Sequence, residues 1–244
     1  MTTVPLFRYD AVIVERYPTV VGGALHATRV AGGPSSPALA AAFADEQSAV
    51  LARIGDTPLS EVPSLAAWRR AFRAFGVDPT GYRSAAEALL RRLTKQGSIP
   101  SIDTLVDLGN LVSIRYALPV AVFDVGSIEG GLTVRFATGD ETFTDLGSGT
   151  TESPAPGEVV FVDAGGHVAA RRWCWRQSTA SAAGPATTEV LVTVEGHHDG
   201  ARADIESAVA DLEALLRTYA GARSIRSGIV DAGQPSFEDE PAGA

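Results

Sequence analysis

The stretch from Ile102 to Ala137 constrains the fold more than any other part of the chain. Its first half sets Leu105, Val106, Leu108, Val112, Ile114 and Leu118 mostly on three- and four-residue steps. That is the spacing of a largely buried helix, which Pro119 ends. Val120 to Phe123 then reads as a short buried strand and Leu132 to Phe136 as a second, with Gly130-Gly131 turning the chain between them. Asp107 and Asn110 are polar residues inside the helix. A buried carboxylate or amide must be paired or be used.

On either side of this stretch the pattern alternates between strands and helices. Tyr9 to Glu15, around Ala11-Val12-Ile13-Val14, reads as a strand, and Thr19 to Val30 as another, with Gly22-Gly23 marking a bulge or a close backbone approach. Ser36-Pro37 starts a helix that runs to Ile54 and stops at Gly55. Ser64 is expected to cap a helix carrying Trp68, Phe72 and Phe75. Ser84 to Glu87 is a capping box before Leu89, Leu90 and Leu93. Later come a candidate edge strand at Glu141 to Leu146, a hairpin of Glu158 to Asp163 and Val168 to Trp175, a clean strand from Thr188 to Glu195, and an amphipathic helix from Ala201 to Tyr219. The order implies an α+β fold, a β-sheet core with helices packed on its surface. We expect a single domain over residues 1–221 and a flexible acidic tail over 222–244.

Composition narrows the functional classes. The chain has 244 residues, 45% hydrophobic and 20% charged, as expected of an ordinary globule. It contains no apolar run of membrane-spanning length and no signal-peptide layout, so a cytoplasmic location is expected. One cysteine, Cys174, excludes an internal disulfide, and four histidines without metal spacing give no metal site. His197-His198 is read as a surface turn. Neither G-x-G-x-x-G nor G-K-[ST] is present, so no nucleotide-binding loop and no cofactor are expected. The net charge of −9 argues against a general nucleic-acid binder, and no DNA partner is expected. Within it lies a basic block: Arg69, Arg70, Arg73, Arg83, Arg91, Arg92 and Lys95 stand against only Asp78 and Glu87. Trp68, Phe72, Phe75 and Tyr82 are interleaved. Such a patch tracks a phosphate backbone, or else it is the solvated side of two amphipathic helices.

The central stretch also carries a family pattern. Val106-Asp107, Asn110, Pro119, Phe123-Asp124, Ile128-Glu129-Gly130-Gly131 and Val134-Arg135 resemble the B3/B4 editing domain of the phenylalanyl-tRNA synthetase β subunit. W-R-x-x-F from Trp68, G-x-D-P-x-x-Y-R from Gly76 and P-G-E-V-V-F-x-D from Pro156 look like the free-standing relatives of that domain. The resemblance implies hydrolysis of the ester of a mischarged aminoacyl-tRNA, with tRNA as partner and no membrane. The resemblance is to this domain alone, and no synthetase ligase core is expected. A reactive ester needs a positioned water and a stabilised oxyanion, so neither nucleophile nor metal is required. The family's site asparagine falls on Asn110. Its histidine falls on Ala121, and its glutamate on Thr193, with Glu195 two residues later on the same strand face. These departures remove the basis for tyrosine specificity and imply a pocket for another amino acid.

The expected catalytic set is therefore Asn110, Thr193 and Glu195. The expected pocket is Ala121, Phe123, Gly130, Gly131, Trp173 and Trp175. If Val168 to Trp175 is one alternating strand, Trp173 and Trp175 share a face with Arg171, opposite Arg172, Cys174 and Arg176. Arg171 and Arg176 then join the basic block as contacts for tRNA. Cys174 reads as a packed thiol. A non-catalytic module for tRNA or a free amino acid, with a decayed site, is the alternative, followed by a hydrolase of small esters.

Overall fold

The computed structural model describes residues 4–238. In chain order the elements are β1 (Pro5–Tyr9), α1 (Ala11–Arg16), β2 (Val21–Thr28), α2 (Pro37–Ile54), α3 (Pro63–Ala74), α4 (Ala85–Gln96), α5 (Thr104–Tyr116), β3 (Val120–Asp124), β4 (Leu132–Phe136), β5 (Phe143–Thr144), β6 (Thr151–Glu152), β7 (Val159–Val162), β8 (Val168–Arg171), β9 (Arg176–Gln177), β10 (Glu189–Gly196), α6 (Ala201–Tyr219), β11 (Ser224–Asp231) and β12 (Ser236–Glu238). The fold is α+β, with helices packed on a β-sheet core. An antiparallel four-stranded sheet in the order β11-β2-β10-β3 lies in the middle. Helices cover one of its faces. A second sheet, β12-β1-β4-β7-β8-β9, faces the other, and β1 and β4 are its parallel pair.

The alternation of β10 produces this layering. Val190, Val192 and Val194 point to the helices and join Leu105, Leu108, Val112, Ile205, Leu212 and their neighbours in one apolar core. Leu191 points the other way and joins Phe7, Phe123, Leu132, Val134 and Phe161 between the sheets. Two adjacent glycines on β2 allow close approach from both sides. A Cβ on Gly23 would meet Val209 Cγ2 at 2.4 Å, so the strand can lie directly under α6. A Cβ on Gly22 would meet the Tyr9 hydroxyl at 2.4 Å.

Several helix boundaries follow their sequence signals. Ser36 Oγ accepts from Leu39 N–H and Ser84 Oγ from Glu87 N–H, while Gly97 closes α4 in the left-handed region at φ +78°. Asp107 is fully buried and structural: its carboxylate accepts from Ser35 and Ser101 hydroxyls and from Ile102 N–H, which fastens two loops to α5.

Four expectations change. Ala11-Val12-Ile13-Val14 belongs to helix α1, not to a strand, because Asp10 Oδ1 caps Val12 N–H at 3.0 Å. Ser64 does not cap α3; Val62 holds that position, and Ser64 Oγ donates to Ala117 O instead. Val168 to Trp175 is not one strand, since β8 ends at Arg171 and residues 172–175 form a turn. The stretch from Ala222, expected to be a flexible tail, forms β11 and β12 through Glu238. These pair with β2 and β1 and so contribute to both sheets. The remainder of the expected tail, 239–244, lies outside the described residues.

Candidate functional site

A cavity of about 70 Å³ opens between the sheets where β3, β10 and the 172–175 turn converge. Ala121, Thr193 and Glu195 meet there because Ala121 pairs directly with Thr193 and all three lie on one face. Phe161, Ala170 and Trp173 form apolar walls, and Cys174, Trp175, Arg176 and Gln177 lie toward the mouth.

The turn shapes one wall. Arg172 and Trp173 both have left-handed backbone, at φ +45° and +62°, which is costly for residues with a Cβ. Three contacts hold it. Trp173 N–H donates to Val159 O at 2.7 Å, Arg172 N–H donates to Glu158 Oε1 at 3.1 Å, and the Arg172 guanidinium sits 3.9 Å from the Tyr82 ring centre and 4.5 Å from that of Trp175. Trp173 is thereby driven inward and is fully buried, while Trp175 stays at the rim. The two tryptophans are therefore not side by side on one strand face.

Glu195 is the chemical centre of the cavity. Its side chain is 2% exposed, and both its hydrogen bonds end on Oε1: from the Tyr9 hydroxyl at 2.7 Å and from Trp173 Nε1 at 3.0 Å. Trp68 Nε1 donates to its backbone carbonyl at 3.3 Å. No cation among the described residues pairs with the carboxylate. Burial raises its pKa to about 7, against the lowering effect of the two hydrogen bonds. Burial, then Glu195 itself, pushes the Tyr9 phenol well above its ordinary value. Burial likewise raises the Cys174 thiol, which excludes a ready thiolate.

His197 is not on a surface turn. It is buried among Trp68, Trp173 and Tyr17, with ring centres 4.6, 5.0 and 6.3 Å away. Burial, followed by His198 and Arg70, lowers its pKa to about 3, so it is a neutral packing group.

The remaining candidates fall elsewhere. Asn110 is half-buried on α5, in the helical layer, and does not line the cavity. Phe123 is fully buried in the core against Phe161. Gly130 and Gly131 form the turn before β4, where a Cβ on Gly131 would meet Pro5 O at 2.2 Å; they let β1 dock and do not line the cavity.

The arginines divide into three groups. Arg171 is buried and bound to Glu158 at 2.8 Å and to Glu152, so it is structural and not a surface contact. Arg69 pairs with Glu87 at 2.6 Å, and Arg70 and Arg73 are exposed on α3. Arg83, Arg91, Arg92, Lys95 and Arg176 line one open groove with Trp175. Arg176 also pairs with Asp145 at 2.6 Å. Trp175 and Arg176 border both the groove and the cavity, so the basic channel ends at the cavity mouth.

Sequence reasoning missed Tyr9 as a site residue and found no role for Gln177. Gln177 hangs its amide on Val122 O at 2.8 Å and lines the cavity. Gly22-Gly23 was the one signal for Tyr9, since it marked a close approach without naming the partner. Among the described residues no group of three or more His, Cys, Asp or Glu side chains is placed to hold a metal ion, and no helix is long and apolar enough to cross a membrane.

A cavity floored by β3 and β10 and a groove along α4 both fall within residues 67–221, the part of the chain that matches the B3/4 domain family. That is more than half of the sequence, and the chain belongs to this family. Among curated proteins it is similar to the phenylalanine–tRNA ligase beta subunit of Vibrio cholerae serotype O1, 32% identical over 99 residues, which is 41% of this chain and 12% of that subunit. The corresponding subunit of Sodalis glossinidius is 40% identical over 72 residues, 29% of this chain and 9% of its own length. The matched stretch is thus about a tenth of those ligase subunits. Among solved structures, an N-terminal fragment of the phenylalanyl-tRNA synthetase beta-subunit from Pyrococcus horikoshii aligns over 90% of this chain and 50% of its own, with a TM-score of 0.46 and 12% identity.

Proposed function

We propose that this protein binds charged tRNA and removes a mischarged amino acid by hydrolysing the aminoacyl ester. The observation that carries this reading is the meeting of two environments at Trp175 and Arg176. Outside is an open groove of five cations, and inside is a small cavity with a polar floor. A tRNA end places phosphodiesters in the first and its aminoacyl group in the second. Arg83, Arg91, Arg92 and Lys95 hold the backbone electrostatically, Trp175 offers a stacking face to a base, and Arg70 and Arg73 extend the basic surface along α3. Thr193 and Gln177 are the groups that orient water or the ester carbonyl. No protein nucleophile is needed, because the ester is already activated and the tRNA's own hydroxyl can take part.

The position of Asn110 outside the cavity favours a second reading, a module that holds aminoacyl-tRNA without cleaving it. Deacylation of a panel of mischarged tRNAs separates the two. Hydrolysis of a subset, lost in Thr193→Val and retained in Asn110→Ala, is the expected outcome. Salt-sensitive binding with no hydrolysis of any member would establish the binding module instead.

A further inference from the structure

We propose that the cavity takes the α-ammonium end of a small aminoacyl group, with Glu195 as its counter-ion, and that it excludes aromatic amino acids. This inference rests on the functional reading above and names its substrate class.

Three observations point the same way. First, Glu195 is a buried carboxylate whose protein partners, Tyr9 and Trp173, are neutral donors on a single oxygen. Burial makes this carboxyl costly to ionise, and a neutral ligand group leaves that cost in place, whereas a cation offsets it and draws the group to the carboxylate. A cation is the matching ligand. A metal ion is not that cation, since no cluster of ligating side chains accompanies Glu195 among the described residues. Second, size limits the cation. A cavity of about 150 Å³ is the scale that accommodates a benzene ring, and this one is about 70 Å³. A hydrogen, methyl or hydroxymethyl substituent fits beside an ammonium, whereas a phenyl ring or the long stem of a lysine does not. Third, the charge pattern is bipolar. The negative floor and the cationic groove match a ligand with an ammonium at one end and phosphate at the other. A glycyl, alanyl or seryl ester on a nucleotide has that form.

The test uses small amides and the intact protein, read by calorimetry and by the change in intrinsic tryptophan fluorescence near neutral pH. Alaninamide should bind, with N-acetylalaninamide and phenylalaninamide each weaker by about 10-fold or more, a difference of ~1.4 kcal/mol. Glu195→Gln keeps acceptors for Tyr9 and Trp173 and should weaken alaninamide by at least about 10-fold. Ala121→Leu fills the cavity from the neighbouring strand with Glu195 itself left in place and should abolish binding while the thermal transition is retained. Equal affinity for the acetylated amide, tighter binding of phenylalaninamide, unchanged binding in both variants, or no binding of alaninamide to the unaltered protein would each overturn the inference. Binding as expected with no turnover of any charged tRNA would sustain the inference and overturn hydrolysis. Hydrolysis of tyrosyl- or phenylalanyl-tRNA without alaninamide binding would do the reverse.

Discussion

The two faces of β10 are made from the same eight residues and solve opposite problems. Toward the helices, Val190, Val192 and Val194 are at most 1% exposed, all apolar, and locked between α5 and α6. Toward the second sheet, Leu191 packs, but Thr193 and Glu195 border a cavity. They are 2% exposed and just as buried in area. Burial from solvent and participation in packing are therefore different properties. The first face stabilises the fold, and the second gives up packing for a carboxylate held ready by two fixed donors.

Breaking the packed face should have the largest effect. Val192→Asp places an unpaired carboxylate among the helices and should cost roughly 4 kcal/mol or more, abolishing cooperative unfolding in urea. Thr193→Val, one residue later on the other face, should cost less than about 1 kcal/mol in the same measurement.

The pH dependence sharpens the comparison next. The Glu195 carboxyl rises from an ordinary 4.5 to about 7 in the fold. Between those values the folded state binds more protons than the unfolded state, so stability falls as pH rises through this window. The loss should be on the order of 3 kcal/mol, complete above the folded value, and absent in Glu195→Gln. Urea unfolding at a series of pH values checks it, and parallel curves for the two proteins would refute the assignment.

A smaller effect is expected at Gly22, which lies opposite Glu195 on β2. Gly22→Ala pushes the Tyr9 hydroxyl away from the carboxylate and should cost about 1–3 kcal/mol. Tyr9→Phe should cost about 1 kcal/mol and raise the Glu195 carboxyl further. Titration of that carboxyl by NMR reads both. The smallest effect on stability, within about 0.5 kcal/mol, belongs to Arg91→Gln combined with Arg92→Gln and Lys95→Gln, which touch neither face. On the functional reading, those changes lower tRNA affinity and flatten its salt dependence by about 1 in slope per charge.

How much of the fold and the site is legible in the sequence depends on how local each signal is. The period of two puts Thr193 and Glu195 on one face of their strand, and the caps at Ser36 and Ser84 set their helices. The apolar run at Ala11 to Val14 is too short to separate helix from strand by period, although Asp10 carries the cap. Trp173-Cys174-Trp175 alternates as a strand does, and only tertiary contacts to Val159, Glu158 and Tyr82 impose the left-handed turn that parts the tryptophans. β11 and β12 have weak patterns of their own because an edge strand draws its stability from its neighbour. Asn110 carries the family motif, but motif membership fixes a helix position and not which side of a sheet that helix covers.

The segment that carries β11 and β12 has a consequence for how the chain folds. It joins β2 in one sheet and β1 in the other, pairing the two ends of the described chain in both. Local contacts can assemble the helices early, but β1 and β2 keep open edges until a partner from the far end of the sequence arrives. That raises the contact order and places the slow step at closure. During that wait the face bearing Tyr9 and Gly22 remains uncovered, so the cavity with its pre-set carboxylate should be among the last features to form.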